Sequence, residues 1–334
     1  MKILFDEKTH KYTATEIEMR SVTTILKRLA KPALAPAAVK ATAEYIRDNN
    51  LDLKSEEGIK EAKMAHKKLW GDKANIGTMV HYGMELLAKE HIKHQSSKYE
   101  KSKDRPHAAK PLPLSVIDKT HNAVMKKFND EFEITPEAKQ KVHTGIASGY
   151  KFISTNKDIK FIKTEHVVSL IPTLKTAYAG TVDAIVEIDG WIYVLDYKTG
   201  GTYPEYLLQL AAYTNTLTEY GDKVGGALLL TLDTDDVKYK YNVLNMEGVA
   251  FYYNIFQHLM FVDAGYKSAE DTIKDPKHTH TDEDDKKMRE EQEQQKQFQQ
   301  QAVQQAQAQS TTKIKPKEQN EKNNRKVKNK KGDK

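Results

Sequence analysis

Two apolar segments near the middle of the chain, Ala179–Ile188 and Trp191–Tyr197, are separated only by Asp189-Gly190. Both segments are rich in the β-branched and aromatic residues that favour strands. Asp-Gly readily adopts the positive φ angles that a two-residue hairpin turn needs. The sequence therefore predicts a tight β-hairpin, and a fold for this chain has to be built around it.

Each strand of this hairpin carries an acid, Asp183 in the first strand and Asp196 near the end of the second. Because side chains i and i+2 of a strand point to one face, Lys198 lies on the same face as Asp196. A carboxylate that binds a divalent cation and an amine next to the same phosphate suit metal-dependent phosphodiester hydrolysis. The alternative is an ordinary hairpin with solvent-facing acids, but an unpaired charge at the end of so apolar a strand would be costly to bury.

A mostly helical half precedes this hairpin, and an α/β half contains it. Residues 2–21 alternate like a short hairpin of their own, and a capped helix starts at Ser21. Further helices are predicted at about 37–49, 55–69, 74–93, 115–132, 136–155, 204–220 and 246–264. A Pro-containing loop is predicted at 94–113, and further strands at about 159–170, 226–232 and 237–243. This order predicts an α/β fold with a central mixed β-sheet flanked by helices.

The chain loses this patterning after Tyr266. The Glu- and Gln-rich segment Asp282–Gln309 suits a solvated helix or a coiled-coil fragment, although no apolar heptad supports the latter. The last residues, Ser310–Lys334, hold ten Lys or Arg against three acids and so have a net charge of +7. Because the whole chain has a net charge of +6, the residues before them have a net charge of about −1. We expect one folded domain over residues 1–266, helical at about 20–155 with a catalytic core at about 156–266, and a disordered low-complexity tail over 267–334.

Composition excludes several classes of protein. The absence of Cys rules out disulfides, Cys-ligated zinc and iron–sulfur clusters. No run reaches the roughly 18 apolar residues of a membrane helix, and the N-terminus lacks a signal-peptide pattern. We therefore expect a cytoplasmic protein with no membrane partner. The basic tail is compatible with nucleic-acid binding, but such tails also occur on proteins that bind none.

Three motifs of the α/β half resemble those of the RecB-type branch of the PD-(D/E)XK nuclease superfamily. They are Gly180-x-x-Asp183, Asp196-x-Lys198-Thr199-Gly200 and Gln209-Leu210-x-x-Tyr213. The resemblance implies a restriction-endonuclease-like core in which Asp183 and Asp196 hold the metal and Lys198 is the catalytic amine. Gln209 and Tyr213 are four residues apart on one helix face, where the family pattern has them supporting the site and contacting DNA. An incidental Gln and a buried Tyr are the alternative for this pair.

The same branch has an upstream helical histidine, and His81 matches it. The resemblance makes its imidazole a ligand of Mn²⁺ or Mg²⁺, whereas alone it would be a satisfied core histidine. Glu165, on the strand before Asp183, matches a glutamate that the superfamily often has near this point. It would be a second catalytic acid or a ligand through water, and a charged residue on a half-exposed strand is the alternative. The Tyr197 carbonyl is a further expected metal ligand.

These features predict a Mg²⁺- or Mn²⁺-dependent deoxyribonuclease without an iron–sulfur cluster. The resemblance favours an exonuclease that hydrolyses DNA ends in recombination, repair or replication. The N-terminal residues 10–26 also resemble openings of phage-encoded members, which would place the protein in the bacterial host cytoplasm. The expected partners are DNA and a recombination or single-strand-binding protein. The alternatives are a non-catalytic nucleic-acid-binding or protein-interaction module on the same fold, and a structure-specific or RNA-directed endonuclease.

Overall fold

The computed structural model describes residues 3–6, 11–14, 17–99, 112–171, 176–275 and 281–311. The chain divides into two compact units, Met1–Lys267 and Ser268–Lys334. All the residues that the sequence singles out for chemistry lie in the first unit. Within the described residues, no helix is long and apolar enough to cross a membrane.

Eight strands among the described residues form one sheet in the first unit. They are β1 (Ile3–Asp6), β2 (Lys11–Ala14), β3 (Ile17–Ser21), β4 (Lys160–Leu170), β5 (Tyr178–Ile188), β6 (Trp191–Lys198), β7 (Val224–Leu232) and β8 (Tyr239–Asn245). The order across the sheet is β1-β2-β3-β5-β6-β7-β8, and β4 also pairs with β5. The β3–β5 and β6–β7 pairs are parallel and the other pairs antiparallel. The predicted mixed sheet is confirmed.

The predicted central hairpin is also confirmed, as the antiparallel pair of β5 and β6. Asp189 has φ 51° and Gly190 has φ 83°, both left-handed. Two successive positive φ angles are what a type I′ turn requires, and the twist of this turn matches that of the flanking strands. The conformational preferences of Asp189 and Gly190 are therefore enough to set the turn between β5 and β6.

Helices surround this sheet. Those of the first unit are α1 (Val22–Leu26), α2 (Leu34–Asn49), α3 (Glu56–Tyr99), α4 (Ser115–Phe128), α5 (Pro136–Thr155), α6 (Glu205–Thr214) and α7 (Met246–Lys274), whose last residues belong to the second unit. The Ser21 hydroxyl caps α1 by accepting a hydrogen bond from the backbone N–H of Thr24 at 3.1 Å. The Thr135 hydroxyl accepts the corresponding bond at the start of α5.

One continuous helix, α3, replaces the two helices predicted at 55–69 and 74–93. Gly71 lies in the predicted gap, and a Cβ there would meet nothing within 4 Å. A glycine inside a helix costs only about 1 kcal/mol, and buried side chains on both sides, such as Ala65 and Val80, outweigh that cost. The helix also continues into the first part of the predicted 94–113 loop, whose residues 100–111 lie outside the described ranges.

Helix α6 ends at Thr214, earlier than the predicted end near residue 220. The Thr216 hydroxyl donates to the carbonyl of Tyr213 at 2.6 Å. That carbonyl is the acceptor that Leu217 would need to continue the helix, and Leu217 instead donates to Thr214. Side-chain hydroxyls compete with the helical pattern in this way, and the chain goes on in 3₁₀ turns over Thr218–Lys223.

The central strands β5, β6 and β7 are buried on both faces, whereas most residues of the edge strand β8 are exposed. Helices α1, α6 and α7 pack on one face against residues such as Val194 and Leu229. Helices α3, α4 and α5 pack on the other face against residues such as Leu195 and Leu228. Because adjacent strand residues point to opposite faces, strands covered on both sides are apolar almost throughout. Residues of α3 and of α6 can therefore reach the ends of the central strands from opposite faces.

The second unit contains α8 (Asp282–Thr311) among its described residues. This helix covers the Glu- and Gln-rich segment, for which a solvated helix is one of the two expectations. Its described side chains are exposed, including that of Phe298. The Lys-rich residues 312–334 lie outside the described ranges.

Candidate active site

The candidate site forms where strands β5 and β6 separate. Their ladder ends at the pair Ala184↔Leu195, whereas β6 stays paired with β7 as far as Lys198. Directly beyond that ladder, Oδ2 of Asp183 accepts a hydrogen bond from the backbone N–H of Tyr197 at 2.7 Å. The side chain of Asp183 takes the place of a strand partner, and the opening between the strands holds this acid.

His81 of α3 contacts Asp183. Its Nδ1 is 3.4 Å from Asp183 Oδ2, and its ring meets that of Tyr197 edge-on, with 5.8 Å between the centroids. Burial lowers the pKa of His81, but the Asp183 carboxylate outweighs burial and the net shift is upward. One helical turn earlier, a Cβ at Gly77 would lie 3.1 Å from the Thr199 hydroxyl. The glycine therefore lets α3 come close to the end of β6, which brings the histidine to the acid.

Asp196, Lys198 and Gln209 form a series of contacts on the α6 side. Asp196 is 3% exposed and pairs with the Lys198 ammonium. Lys198 Nζ donates to Gln209 Oε1 at 3.5 Å, and Gln209 Nε2 donates to the Tyr213 hydroxyl at 3.2 Å. Lys198 Nζ also lies 4.7 Å from the ring centroid of Tyr206, within cation–π range. The amine is thus held by a carboxylate, an amide and a ring, and its orientation is set by all three.

Gly180 lets α6 approach β5. A Cβ at this position would lie 2.4 Å from Cε1 of Tyr213, closer than non-bonded atoms approach. Nearby, the Tyr178 hydroxyl of β5 donates to the Ala212 carbonyl of α6 at 3.0 Å. The first and third sequence motifs therefore meet through the packing of the Tyr213 ring on Gly180.

The two acids have opposite pKa shifts. Burial raises the pKa of Asp196 to about 6, with Lys198 opposing the shift and the charge of Asp183 adding to it. Burial also raises the pKa of Asp183, but His81 and Lys198 outweigh burial and the net shift is downward. The pKa of Lys198 is raised, since the two acids outweigh its burial. Neighbouring groups with separated pKa values are typical of catalytic sites.

Glu165 of β4 lies opposite Asp183 in the β4–β5 ladder. Its φ of 46° is left-handed, which costs a residue other than glycine of order 1–2 kcal/mol. Desolvation, followed by the charges of Asp183 and Glu85, raises the pKa of Glu165 to about 7, although the residue stays more than a third exposed. A strained backbone and a shifted pKa at one residue point to a functional role.

Glu85 belongs to this acidic group although it carries no motif of its own. It follows His81 by one helical turn, lines the same cavity and raises the pKa of Glu165. It also pairs with Lys89, one turn further along α3. The signal in the sequence is the four-residue spacing from His81, which places the two side chains on one helix face.

A cavity of about 490 Å³ is lined by His81 and the acids Asp183, Glu165 and Glu85, whereas Asp196, Lys198 and Gln209 lie outside its lining. Its lining also includes Tyr82, Lys127 and Phe128, which we call its second wall. Lys127 Nζ lies 3.8 Å from the ring centroid of Tyr82. These last three residues have no spacing that distinguishes them from ordinary helix residues, so the sequence does not point to them.

The donor atoms of the site suit a divalent cation in kind. Carboxylate oxygens and an imidazole nitrogen bind Mg²⁺ and Mn²⁺, and Asp196 Oδ2 is buried without a well-aligned hydrogen bond. Within the described part of the chain, no group of three or more His, Asp or Glu side chains converges closely enough to hold a cation as it stands. Asp183 contacts His81 and Asp196 contacts Lys198 instead. The residue types fit a metal, and the ligand set stays a prediction.

Known proteins match the chain as follows. A family model described as the PD-(D/E)XK nuclease superfamily matches residues 52–325. No curated protein matches the chain. A solved structure titled "Crystal structure of SSO0001" is similar at 12% identity over 53% of this chain and 84% of that chain, with a TM-score of 0.24. The family match includes every residue of the candidate site and most of the chain. The chain therefore belongs to the PD-(D/E)XK nuclease superfamily.

Proposed function

We propose that this chain is a Mg²⁺- or Mn²⁺-dependent deoxyribonuclease that degrades DNA from its ends. The observation that carries the proposal is the Lys198 ammonium held between the Asp196 carboxylate and the Gln209 amide, beside the Asp183–His81 contact. Burying such charges is costly, and apolar residues would often stabilise a fold as well or better. A protein that only binds DNA has no need for two acids and a lysine in this position.

His81, Asp183 and Asp196 would hold the cation, with the Tyr197 carbonyl as a further ligand and Glu165 as an additional acid. When bound, the cation lowers the pKa of a water molecule and neutralises charge on the phosphate. The opposite pKa shifts of Asp183 and Asp196 favour this assignment. They indicate that Lys198 alone does not keep both neighbouring carboxylates fully ionised, and the positive charge of a cation would do so.

Lys198 stabilises the negative charge that develops on the phosphate. A lysine has three N–H donors; one donates to Gln209, and the ammonium also pairs with the Asp196 carboxylate. A further N–H is available to a phosphate oxygen or to the attacking water. Its raised pKa keeps the amine charged at neutral pH. A fixed ammonium in a half-buried site needs no reorganisation during the reaction.

Glu165 accepts the proton of the attacking water. A general base works best when its pKa is near the working pH; that of Glu165 is raised to about 7 before a cation binds, and the cation would lower it. Its position opposite Asp183, on the wall of the cavity, places it beside the proposed ligands. Gln209 supports the amine and contacts the DNA strand, whereas Tyr213 is buried and supports Gln209 through its hydroxyl.

The biological assignment rests on the motif resemblance. It favours an exonuclease in recombination, repair or replication, encoded by a phage and acting in the bacterial cytoplasm. A recombination or single-strand-binding protein is the proposed partner besides DNA. DNA affinity should fall steeply with salt, because lysine contacts to phosphates release counterions.

Incubation of the full chain with linear duplex, closed circular and single-stranded DNA tests the proposal. With Mn²⁺ or Mg²⁺ the linear molecules should be degraded and the circle left intact, and EDTA should stop the reaction. Lys198→Ala should lower the rate about 10²- to 10³-fold. Lys126→Ala, at an exposed lysine of α4, is the matched control and should cleave normally.

Three results would contradict this function or part of it. Survival of linear DNA with both metals would leave only the binding role. Equal cleavage by Lys198→Ala and Lys126→Ala would remove the proposed chemistry. Cutting of the closed circle would indicate an endonuclease on the same site.

A further inference from the structure

The second wall of the cavity consists of two aromatic rings and a lysine, which the proposed hydrolysis does not use. Tyr82 of α3 and Phe128 of α4 meet edge-on, with 5.7 Å between the centroids and 84° between the planes. The Lys127 ammonium lies 3.8 Å from the centroid of Tyr82 and 5.1 Å from that of Phe128. Phe132 stacks on Phe128 at 5.3 Å and 4°, which fixes that ring.

A charge distinguishes this wall from the hydrophobic core next to it. Lys127 is exposed and lies on the two rings, although the lining of the same cavity also contains Glu85, Glu165 and Asp183. An ammonium over a ring is attracted by the ring quadrupole but keeps its full charge. It remains able to bind an anion that enters the cavity.

Rings and a lysine together suit an unpaired nucleotide. Any base can stack on an aromatic ring, and a lysine binds the backbone phosphate. A base inside a duplex is stacked on its neighbours and has to leave the helix to reach a side chain. The cavity is open to solvent and offers about 490 Å³, the size of a pocket for one small molecule such as a nucleotide.

We propose that Tyr82 and Lys127, supported by the buried Phe128, form a subsite for one unpaired nucleotide next to the phosphate that is cut. Lys127 moves from the Tyr82 ring to the phosphate of this nucleotide, and the base takes its place on the ring. Because Tyr82 lines the same cavity as Asp183 and Glu165 and lies three residues before Glu85 on α3, a base on that ring lies beside the acids. This inference rests on the proposed nuclease function and specifies its substrate as single-stranded DNA or a frayed duplex end.

Removing single bases from the substrate tests the subsite through binding. The protein is the full chain with Lys198→Ala, which suppresses cleavage, and the probe is a short fluorescent oligothymidylate with Mg²⁺ present. One base at a time is replaced by an abasic site, and fluorescence anisotropy gives each Kd. Loss of the base at one position should weaken binding roughly 5- to 100-fold, the range for one base stacked on a ring. If no position stands out from the rest, the subsite does not exist.

Substitutions of the ring identify where the sensitive base binds. Tyr82→Leu in the same background should lower affinity for the intact oligonucleotide and remove the effect of the sensitive position. Tyr82→Phe retains a ring and should keep that effect. Tyr241→Leu, at an exposed tyrosine of β8 outside the cavity, is the control and should also keep it. An unchanged effect in Tyr82→Leu would assign the stacking to another ring and overturn the proposal.

The lysine is tested by the dependence of Kd on salt. Lys127→Ala should reduce the slope of log Kd against log salt by about 0.7, the value for one contact to a single strand. Lys126→Ala is the control, and equal slopes for the two variants would remove Lys127 from the subsite. Cleavage by the unmutated chain reports on the nuclease proposal separately. Cleavage without base dependence would refute the subsite alone, and base dependence without cleavage would support it as a nucleotide-binding site.

Discussion

The carboxylate of Asp183 accepts a hydrogen bond from the backbone N–H of Tyr197 at 2.7 Å, at the first position where β5 and β6 no longer pair. The same oxygen lies 3.4 Å from His81 Nδ1. Oδ2 of Asp183 therefore accepts the hydrogen bond of the first backbone N–H of β6 that lacks a partner on β5, and it also faces His81, a proposed metal ligand. Asp183 has a structural and a chemical role, and two substitutions can separate them.

Asp183→Asn should keep the structural role and lose the chemical one. Its amide oxygen can still accept from the Tyr197 N–H, so the free energy of unfolding should change by less than about 1 kcal/mol. Loss of the negative charge should lower nuclease activity more than about 100-fold. Asp183→Ala leaves that N–H without its acceptor and should cost about 1–3 kcal/mol as well. Urea unfolding and the linear-DNA assay measure both effects, and equal stability losses in the two variants would contradict the role of the hydrogen bond.

Glu165 should lower the stability of the fold through its strained backbone and raise the rate of the reaction through its carboxylate. Glycine adopts a φ of 46° without strain, so Glu165→Gly should leave stability unchanged or raise it by up to about 1 kcal/mol. Activity should fall about 10²-fold or more, since a general base is lost. Glu165→Gln keeps the strain and removes the charge, so it should lose activity without any gain in stability. Thermal unfolding decides the matter, because a marked destabilisation in Glu165→Gly would mean that the backbone is not strained.

Gly180→Ala should disturb the site through packing. The added Cβ would meet Cε1 of Tyr213 at 2.4 Å, and overpacking of this kind costs about 1–3 kcal/mol. Displacement of Tyr213 should also move Gln209 and lower activity. Gly71→Ala is the matched control, because a Cβ there would meet nothing within 4 Å. Since Gly71 lies inside a helix, this substitution should raise the free energy of unfolding by about 0.5–1 kcal/mol. Similar effects of the two substitutions on unfolding and activity would show that the contact at Gly180 does not matter.

His91 should make stability depend on pH. It is buried against Phe161 with its Nδ1 unpaired. Burial, followed by the charge of His94, lowers the pKa of His91 to about 4, whereas an unfolded histidine titrates near 6.5. At this residue the unfolded chain therefore binds more protons between these values, so His91 contributes a fall in the free energy of unfolding as the pH is lowered from about 6.5 to about 4. The raised pKa values of Glu165 and Asp196 contribute in the opposite direction.

The contribution of His91 is measured by unfolding in urea across that pH range. His91→Leu should remove the contribution of His91 to the pH dependence of the free energy of unfolding, since it removes the group that stays neutral in the folded state. His258→Gln, at an exposed position of α7, should leave the slope as it is. An unaltered slope in His91→Leu would place the pH dependence elsewhere.

The elements of the sheet could be predicted because their signals are local. Asp189 and Gly190 set the hairpin turn by their own conformational preferences, and strand residues alternate with a period that neighbouring residues reveal. The continuity of α3 could not be predicted in the same way. A glycine at position 71 is unfavourable in isolation, and only burial of residues on both sides of it outweighs the cost.

The candidate site was predictable in part. The structure brings the predicted residues into two series of contacts, His81 with Asp183 and Asp196 with Lys198, Gln209 and Tyr213. Glu165 lines the cavity together with His81 and Asp183. Their spacings and resemblance to a nuclease branch indicated most of this group, while their roles remain predictions. Glu85 and the wall of Tyr82, Lys127 and Phe128 could not be predicted, because acids, lysines and aromatic residues are common on helices.

By itself, the sequence determined the order of strands and helices, the central turn and the residue types of a nuclease site, because these depend on neighbouring residues and short motifs. Only the tertiary structure decided which side chains share the cavity. His81 reaches Asp183 across about a hundred residues of chain because Gly77 admits α3 to the end of β6, and Tyr213 reaches β5 because Gly180 has no side chain. Contacts of this range follow from how helices pack on the two faces of the sheet, which no local pattern encodes.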